Sequence, residues 1–320
     1  MAFNGPVTVT KDGLECSGEL GRCNGALGQG GWRFWSGLER LQDKAGFMSG
    51  PGACRLHKKH CVTHRGVRMQ IRLIQARQSD HWQFLAYKTL LRAGIKWPAQ
   101  RGFSLVQLRQ GMAWLNAQQQ RLQPVRQGQS TRIHQVPCEL HRPSTGESGA
   151  RVMLYVHGGA FFAGSPATHR GLCGQLAELG RMSVVVPDYR LAPEHPFPAA
   201  LDDLERVYQG LLLQGWRADQ IVVAGDSAGG GLSVMLAQRL RDAGQALPCC
   251  LLLLSPYVDY TFAQSSHTLR ASRDPMLSVS VLKRGIAGLL GQQPLTARQL
   301  SPVFADLSGL PPLCIQVGSE

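Results

Sequence analysis

A serine between two glycines, Gly225-Asp226-Ser227-Ala228-Gly229, is the stretch of this sequence best suited to covalent chemistry. An apolar run at 221–224 leads straight into it, and an apolar-periodic segment follows from Gly231, so Ser227 is expected on a sharp strand-to-helix turn. Such a turn strains the serine backbone and leaves no room for neighbouring side chains, which is why Gly225 and Gly229 have to be small. The hydroxyl is then exposed at a helix N-terminus, where the helix dipole favours the negative charge that develops during nucleophilic attack.

Attack on a carbonyl also needs donors for the oxyanion. A second loop, His157-Gly158-Gly159-Ala160-Phe161-Phe162, follows the apolar run 152–156. Glycines there let backbone N–H groups face a site unobstructed, so Gly158, Gly159 and Ala228 are the expected oxyanion donors, each of a kind worth roughly 2.7–4 kcal/mol of barrier. His157 precedes the turn and is expected to hold the loop by hydrogen bonds, because a general base must lie beside the serine hydroxyl. After Ser227 the sequence has only His267, among Gln264, Ser265 and Ser266, where it reads as a solvated loop residue.

The cluster from Cys54 to His64 puts five potential zinc ligands in eleven residues. A structural zinc site usually pairs two such clusters across an intervening fold, and only one is present, so neither metal nor cofactor is expected. Nine cysteines without an export signal read as reduced thiols.

These loops need elements to position them. Residues 1–80 carry closely spaced glycines and no sustained apolar period, and read as a low-order basic extension. Helical spacing of apolar residues predicts helices over 81–97 and 104–122, with Ser104 as N-cap. A strand is expected at 133–140, followed by a turn. Beyond it, strands at 152–156, 182–186, 221–224, 251–255 and 313–317 alternate with helices at 169–179, 199–213 and 232–243, the pattern of an α/β protein with a mostly parallel central sheet flanked by helices. Sheets of this kind carry their chemistry on loops at the carboxyl ends of the strands, where both motifs fall.

His157-Gly-Gly-Ala160, Asp188-Tyr-Arg-Leu-Ala-Pro-Glu194, Pro196-Phe-Pro-Ala-Ala-Leu-Asp-Asp203, Gly225-Asp-Ser-Ala-Gly-Gly230 and Asp274-Pro-Met-Leu277 occur in this order. Together they resemble the hormone-sensitive-lipase-like branch of the α/β-hydrolases, from about residue 81 to 320. The resemblance implies carboxylic-ester hydrolysis of short or medium acyl esters by Ser, an acid and His, without a cofactor. It implies a helical cap at 81–125 and near 260–290 on a core at 126–320, and for Asp274 a structural or dimer-related role. In this fold the acid follows the strand after the cap insertion and the histidine follows one strand later. The acid position then falls at Glu320 or just past it, and no histidine follows. The expectation is therefore an esterase lineage whose last strand and helix are missing, inactive or weakly active, with 313–317 left as an apolar sheet edge. The alternative is a non-catalytic hydrolase fold that binds a small hydrophobic or ester-like ligand.

Composition bounds the rest. With 43% hydrophobic residues, the 320-residue chain is not disordered as a whole. Its +13 formal charge divides as +6 over 1–80 and +7 over 81–320, a spread excess that does not point to nucleic acid. The longest apolar run, 249–254, is too short to span a bilayer, so no stable membrane anchoring is expected. The first residues lack a secretory pattern, which makes cytoplasmic the expected location, with a small-molecule ester as substrate and a homodimer compatible with the family.

Overall fold

The computed structural model describes residues 8–10, 13–15, 56–64, 67–74, 89, 92–122, 125–144, 149–263, 274 and 276–317. Two compact units divide the chain, Met1–Ala45 and Gly46–Glu320. In the first, β1 (Thr8–Thr10) pairs antiparallel with β2 (Gly13–Glu15). The second opens with an antiparallel pair, β3 (Leu56–His64) and β4 (Val67–Ile74). The stretch read as low-order thus contains two short ribbons. Of the Cys54–His64 cluster, His57, His60, Cys61 and His64 fall in β3, while Cys54 and the side chains of the other four lie outside the described residues.

A wide-turned π segment, Arg92–Lys96, passes into α1 (Trp97–Gln100), with Pro98 in its first turn, where no amide hydrogen is needed. The expected helix at 81–97 falls mostly outside the described residues, and its described part runs on past Trp97. In α2 (Leu105–Leu122) the cap is reciprocal: Gln107 N–H donates to Ser104 Oγ at 3.2 Å and Ser104 N–H to Gln107 Oε1 at 2.8 Å.

The single strand expected at 133–140 is instead a hairpin, β5 (Gln129–Ile133) and β6 (Val136–His141). His134 and Gln135 both take positive φ, 45° and 70°, the backbone of a tight two-residue turn that usually calls for Asn-Gly. The core then alternates as expected: β7 (Val152–Val156), α3 (Pro166–Gly180), β8 (Ser183–Pro187), α4 (Ala199–Leu213), β9 (Ile221–Asp226), α5 (Ser227–Asp242), β10 (Cys250–Leu254), α6 (Val279–Leu290), α7 (Ala297–Leu300) and β11 (Leu313–Gln316).

Seven strands form one sheet in the order β11-β10-β9-β7-β8-β6-β5, parallel from β11 to β8 and antiparallel at β6 and β5. Every residue of β7 and β8 is buried, as unbroken apolar runs require when both faces of a parallel sheet are covered. Leu154, Val223, Leu204, Leu236 and Leu251 belong to one continuous core with these strands. A smaller cluster of Leu108, Phe162, Ala163 and Val281 seats helices α2 and α6 on the loop after β7.

Candidate active site

Register brings the two motif loops together. Strands β7 and β9 are neighbours with Val156 opposite Gly225, so the His157 loop and the serine turn leave the sheet at the same level. Helix α5 begins at Ser227 itself, four residues before the periodic stretch seen in the sequence. Ser227 has φ +49°, a left-handed conformation that costs a non-glycine residue energy and needs the surroundings to enforce it. The enforcement is visible in the close approach of the chain: a Cβ on Gly229 would collide with the carbonyl oxygens of Val156 and His157, and one on Gly225 would lie 2.7 Å from Val156 O.

Asp226 joins the two loops. Its Oδ1 accepts from Gly158 N–H at 2.8 Å and from the buried Tyr155 hydroxyl at 2.9 Å, and His169 Nε2 lies 3.2 Å away. Burial pulls this carboxyl's pKa up, but His169, Tyr155 and Gly158 outweigh it and hold the group below its ordinary value. His169 is set by the start of α3, where Ser165 caps the helix reciprocally with Thr168 and Pro166 fills the first turn.

The expectation that Gly158 donates to an oxyanion is corrected here. Its amide hydrogen is already committed to Asp226, so the residue braces the loop. The amides of Gly159 and Ala160 have no hydrogen-bond partner among the described residues, nor has that of Ala228 in the first turn of α5, where such donors are left over. Gly159 and Ala160 hold φ of 135° and 52°, and Gly159 O accepts from Phe162 N–H and Ala163 N–H, curling the loop tightly behind those amides.

His157 is fully buried. Its Nδ1 lies 2.9 Å from Gly158 O and its ring stacks on Tyr189 at 4.2 Å between centroids, while Tyr189 donates its hydroxyl to His157 O at 2.7 Å. Burial, reinforced by nearby His169, pushes its pKa down from 6.5 to about 3, so the ring is neutral at ordinary pH. Among the described residues no side chain is hydrogen-bonded to Ser227 Oγ. Glu320 and His267 lie outside the described residues. Asp274 Oδ1 accepts from Met276 N–H and Leu277 N–H and its carbonyl from Lys96 Nζ, so it closes a turn and links it to the end of the π segment before α1.

Sequence reasoning missed Tyr155, His169 and Tyr189 as supports of this site. Tyr155 carries the one polar atom in an apolar strand run, a signal that was legible, whereas His169 has meaning only once α3 is folded against the turn. The Asp188–Glu194 motif acts through its neighbours. Arg190 binds buried Asp203 bidentately, with Nε 2.9 Å from Oδ2 and Nη2 2.9 Å from Oδ1, and Arg109 of α2 pairs with Glu194 at 2.7 Å. A cleft of about 490 Å³ bounded by Phe197, Leu201, Met235, Arg239, Leu300 and Pro302 contains none of the residues of the serine turn or the His157 loop.

A family profile described as alpha/beta hydrolase fold matches residues 153–320. An esterase of Acinetobacter venetianus is 37% identical over 252 residues, covering 75% of this chain and 78% of that protein. An acetyl-hydrolase of Streptomyces hygroscopicus is 42% identical over 187 residues, covering 57% and 60% respectively. Among solved structures, an esterase from the bacterial hormone-sensitive lipase family superposes with a TM-score of 0.67 at 33% identity, covering 76% of this chain and 80% of that one.

Proposed function

Because the chain belongs to the hormone-sensitive-lipase-like branch of the α/β-hydrolase fold family, whose relatives are carboxylic ester hydrolases, we propose that Ser227 is the acyl-accepting nucleophile for a short or medium acyl ester. The observation that carries this reading is the positive φ of Ser227 at the first residue of α5, beside the amides of Gly159 and Ala160, which have no partner among the described residues. In the proposed reaction Ser227 Oγ attacks the ester carbonyl, and the oxygen that becomes negative is received by the N–H groups of Gly159, Ala160 and Ala228. The tetrahedral intermediate collapses with loss of the alcohol, and water then releases the acid from the acyl-serine. Electrostatic stabilisation of the oxyanion is the step these residues serve, and it is usually the largest single contribution in acyl transfer.

Proton transfer is the weak link. His157 is held by Gly158 and Tyr189, and His169 by Asp226, so both described imidazoles near the turn are engaged elsewhere. These residues alone are therefore expected to give slow turnover through Ser227, well below that of a serine whose hydroxyl is activated by an oriented base. Hydrolysis of p-nitrophenyl butyrate by residues 1–320 tests the reading. A slow rate that disappears on Ser227→Ala supports it, and a rate unaffected by Ser227→Ala excludes it. A rate ordinary for an esterase that Ser227 nonetheless carries would keep the nucleophile and reject the weak proton transfer.

A further inference from the structure

We propose that the outer face of α2 is a reversible docking surface for an anionic lipid bilayer. The positive charge is uneven on a finer scale than the +6 over 1–80 and +7 over 81–320. Between Asp80 and Glu139 there are eight Lys and Arg and no Asp or Glu. Helix α2 lies inside that stretch. Its inner face seats Leu108 against Phe162 of the His157 loop, and Arg109 reaches back to Ala192 O and Glu194. Its outer face presents Val106, Gln110 and Trp114 at spacings of four, continued by Ala117 and Arg121, a single stripe on a helix, with Phe103 exposed just before the N-cap. Trp114 is 61% exposed, and Trp97, on the short helix just before α2, is 52% exposed. Arg101 and Arg121, at the two ends of the stripe, are exposed and have no carboxylate partner among the described residues.

This combination matches one occupant. Exposed Trp and Phe flanked by Arg suit the boundary between headgroups and acyl chains, where an aromatic ring sits half-immersed and cations meet lipid phosphates. A second copy docked through the same stripe would bring Arg101 and Arg121 of both copies together with no carboxylate on the stripe to offset them, and their like charges would oppose the contact. A nucleic acid would want cations along the middle of the stripe, where the residues are apolar or uncharged instead. Adsorption differs from spanning: no helix of the described residues is long and apolar enough to cross a membrane, and none is needed for a helix lying in the interface. A bilayer bound here would lie directly above the loop that carries Gly159 and Ala160.

The full chain is tested by co-sedimentation with vesicles of phosphatidylcholine containing about a third phosphatidylglycerol, an anionic fraction that gives the surface potential such contacts need, and with pure phosphatidylcholine. Binding is expected to the anionic vesicles only, to fall steeply from about 0.05 M to about 0.5 M salt, and to blue-shift tryptophan emission. Arg101→Gln and Arg121→Gln should each weaken it about fivefold. Trp114→Ala, a surface change that should leave the circular dichroism spectrum intact, should weaken it and diminish the emission shift. Ser227→Ala should bind like the parent, so the outcome is separate from that of the esterase reading. Equal binding to neutral vesicles, no binding to either, retention on single-stranded DNA in place of vesicles, or a Trp114-dependent dimer in the ultracentrifuge would each overturn the proposal.

Discussion

Asp226 stands next to the proposed nucleophile, yet its own chemistry is architectural, because one carboxylate oxygen takes contacts from Gly158, Tyr155 and His169. Asp226→Asn should therefore lower unfolding stability in urea by about 1–3 kcal/mol, the cost of leaving a buried donor poorly matched, and slow ester cleavage through a displaced loop. Unchanged stability would show that the loop stands without it. His157 gives a pH signature. The unfolded chain protonates it below about 6.5, whereas the folded chain resists until about 3, so the unfolded state binds more protons across that window and stability falls as pH drops through it. Glu139, held at about 2 against burial by His141, Arg170 and Gly128, adds a contribution present above 4.5 and lost towards 2. The urea midpoint should thus be lower at pH 4 than at pH 7, and His157→Gln should flatten the upper part of that slope; an identical slope in the variant contradicts the assignment. The serine and its glycines were legible in the sequence because steric necessity restricts those positions to few residue types. Which amide of the His157 loop stays free was not, since that depends on the φ of Gly159 and Ala160 and on a carboxylate 68 residues away.

At the scale of elements, the serine turn works because strand β9 and helix α5 meet without a linking residue, with Gly229 against the end of β7. Gly229→Ala would drive a methyl into backbone carbonyls that cannot yield, so it should destabilise the protein and abolish labelling or turnover at Ser227, measured together with the melting temperature. A variant that folds and reacts like the parent would mean the turn is looser than described. Apolar runs revealed β7, β8 and β9 because these strands are buried on both faces, and α4 was bounded to the residue by its periodicity. The start of α3 was missed although Ser165-Pro166 is a strong opening signal, since the apolar period begins only a turn later. The β5–β6 hairpin was missed because His134 and Gln135 supply left-handed backbone without the usual turn residues.

Across the whole molecule, one sheet sets two loops at a common level, and Leu108 of α2 and Val281 of α6 pack with Phe162 of the His157 loop. The parallel sheet followed from the alternation of strands and helices, whereas its strand order and the seating of α2, held by long-range contacts such as Arg109 with Glu194, are announced by no local pattern. Strand β11 pairs only with β10 among the described residues and exposes Ile315, with Val317 beyond it. Exposed apolar side chains on a strand favour association, so Ile315→Lys should reduce concentration-dependent light scattering of residues 1–320 without lowering the melting temperature; equal scattering would place the contact elsewhere. The central claim, that Ser227 is a reactive hydroxyl set before unspent amides, is tested most directly by treating the intact chain with a fluorophosphonate and mapping the adduct by peptide mass spectrometry. The structure predicts one adduct on Ser227, absent from Ser227→Ala. No adduct on that residue, with the protein folded, would contradict it.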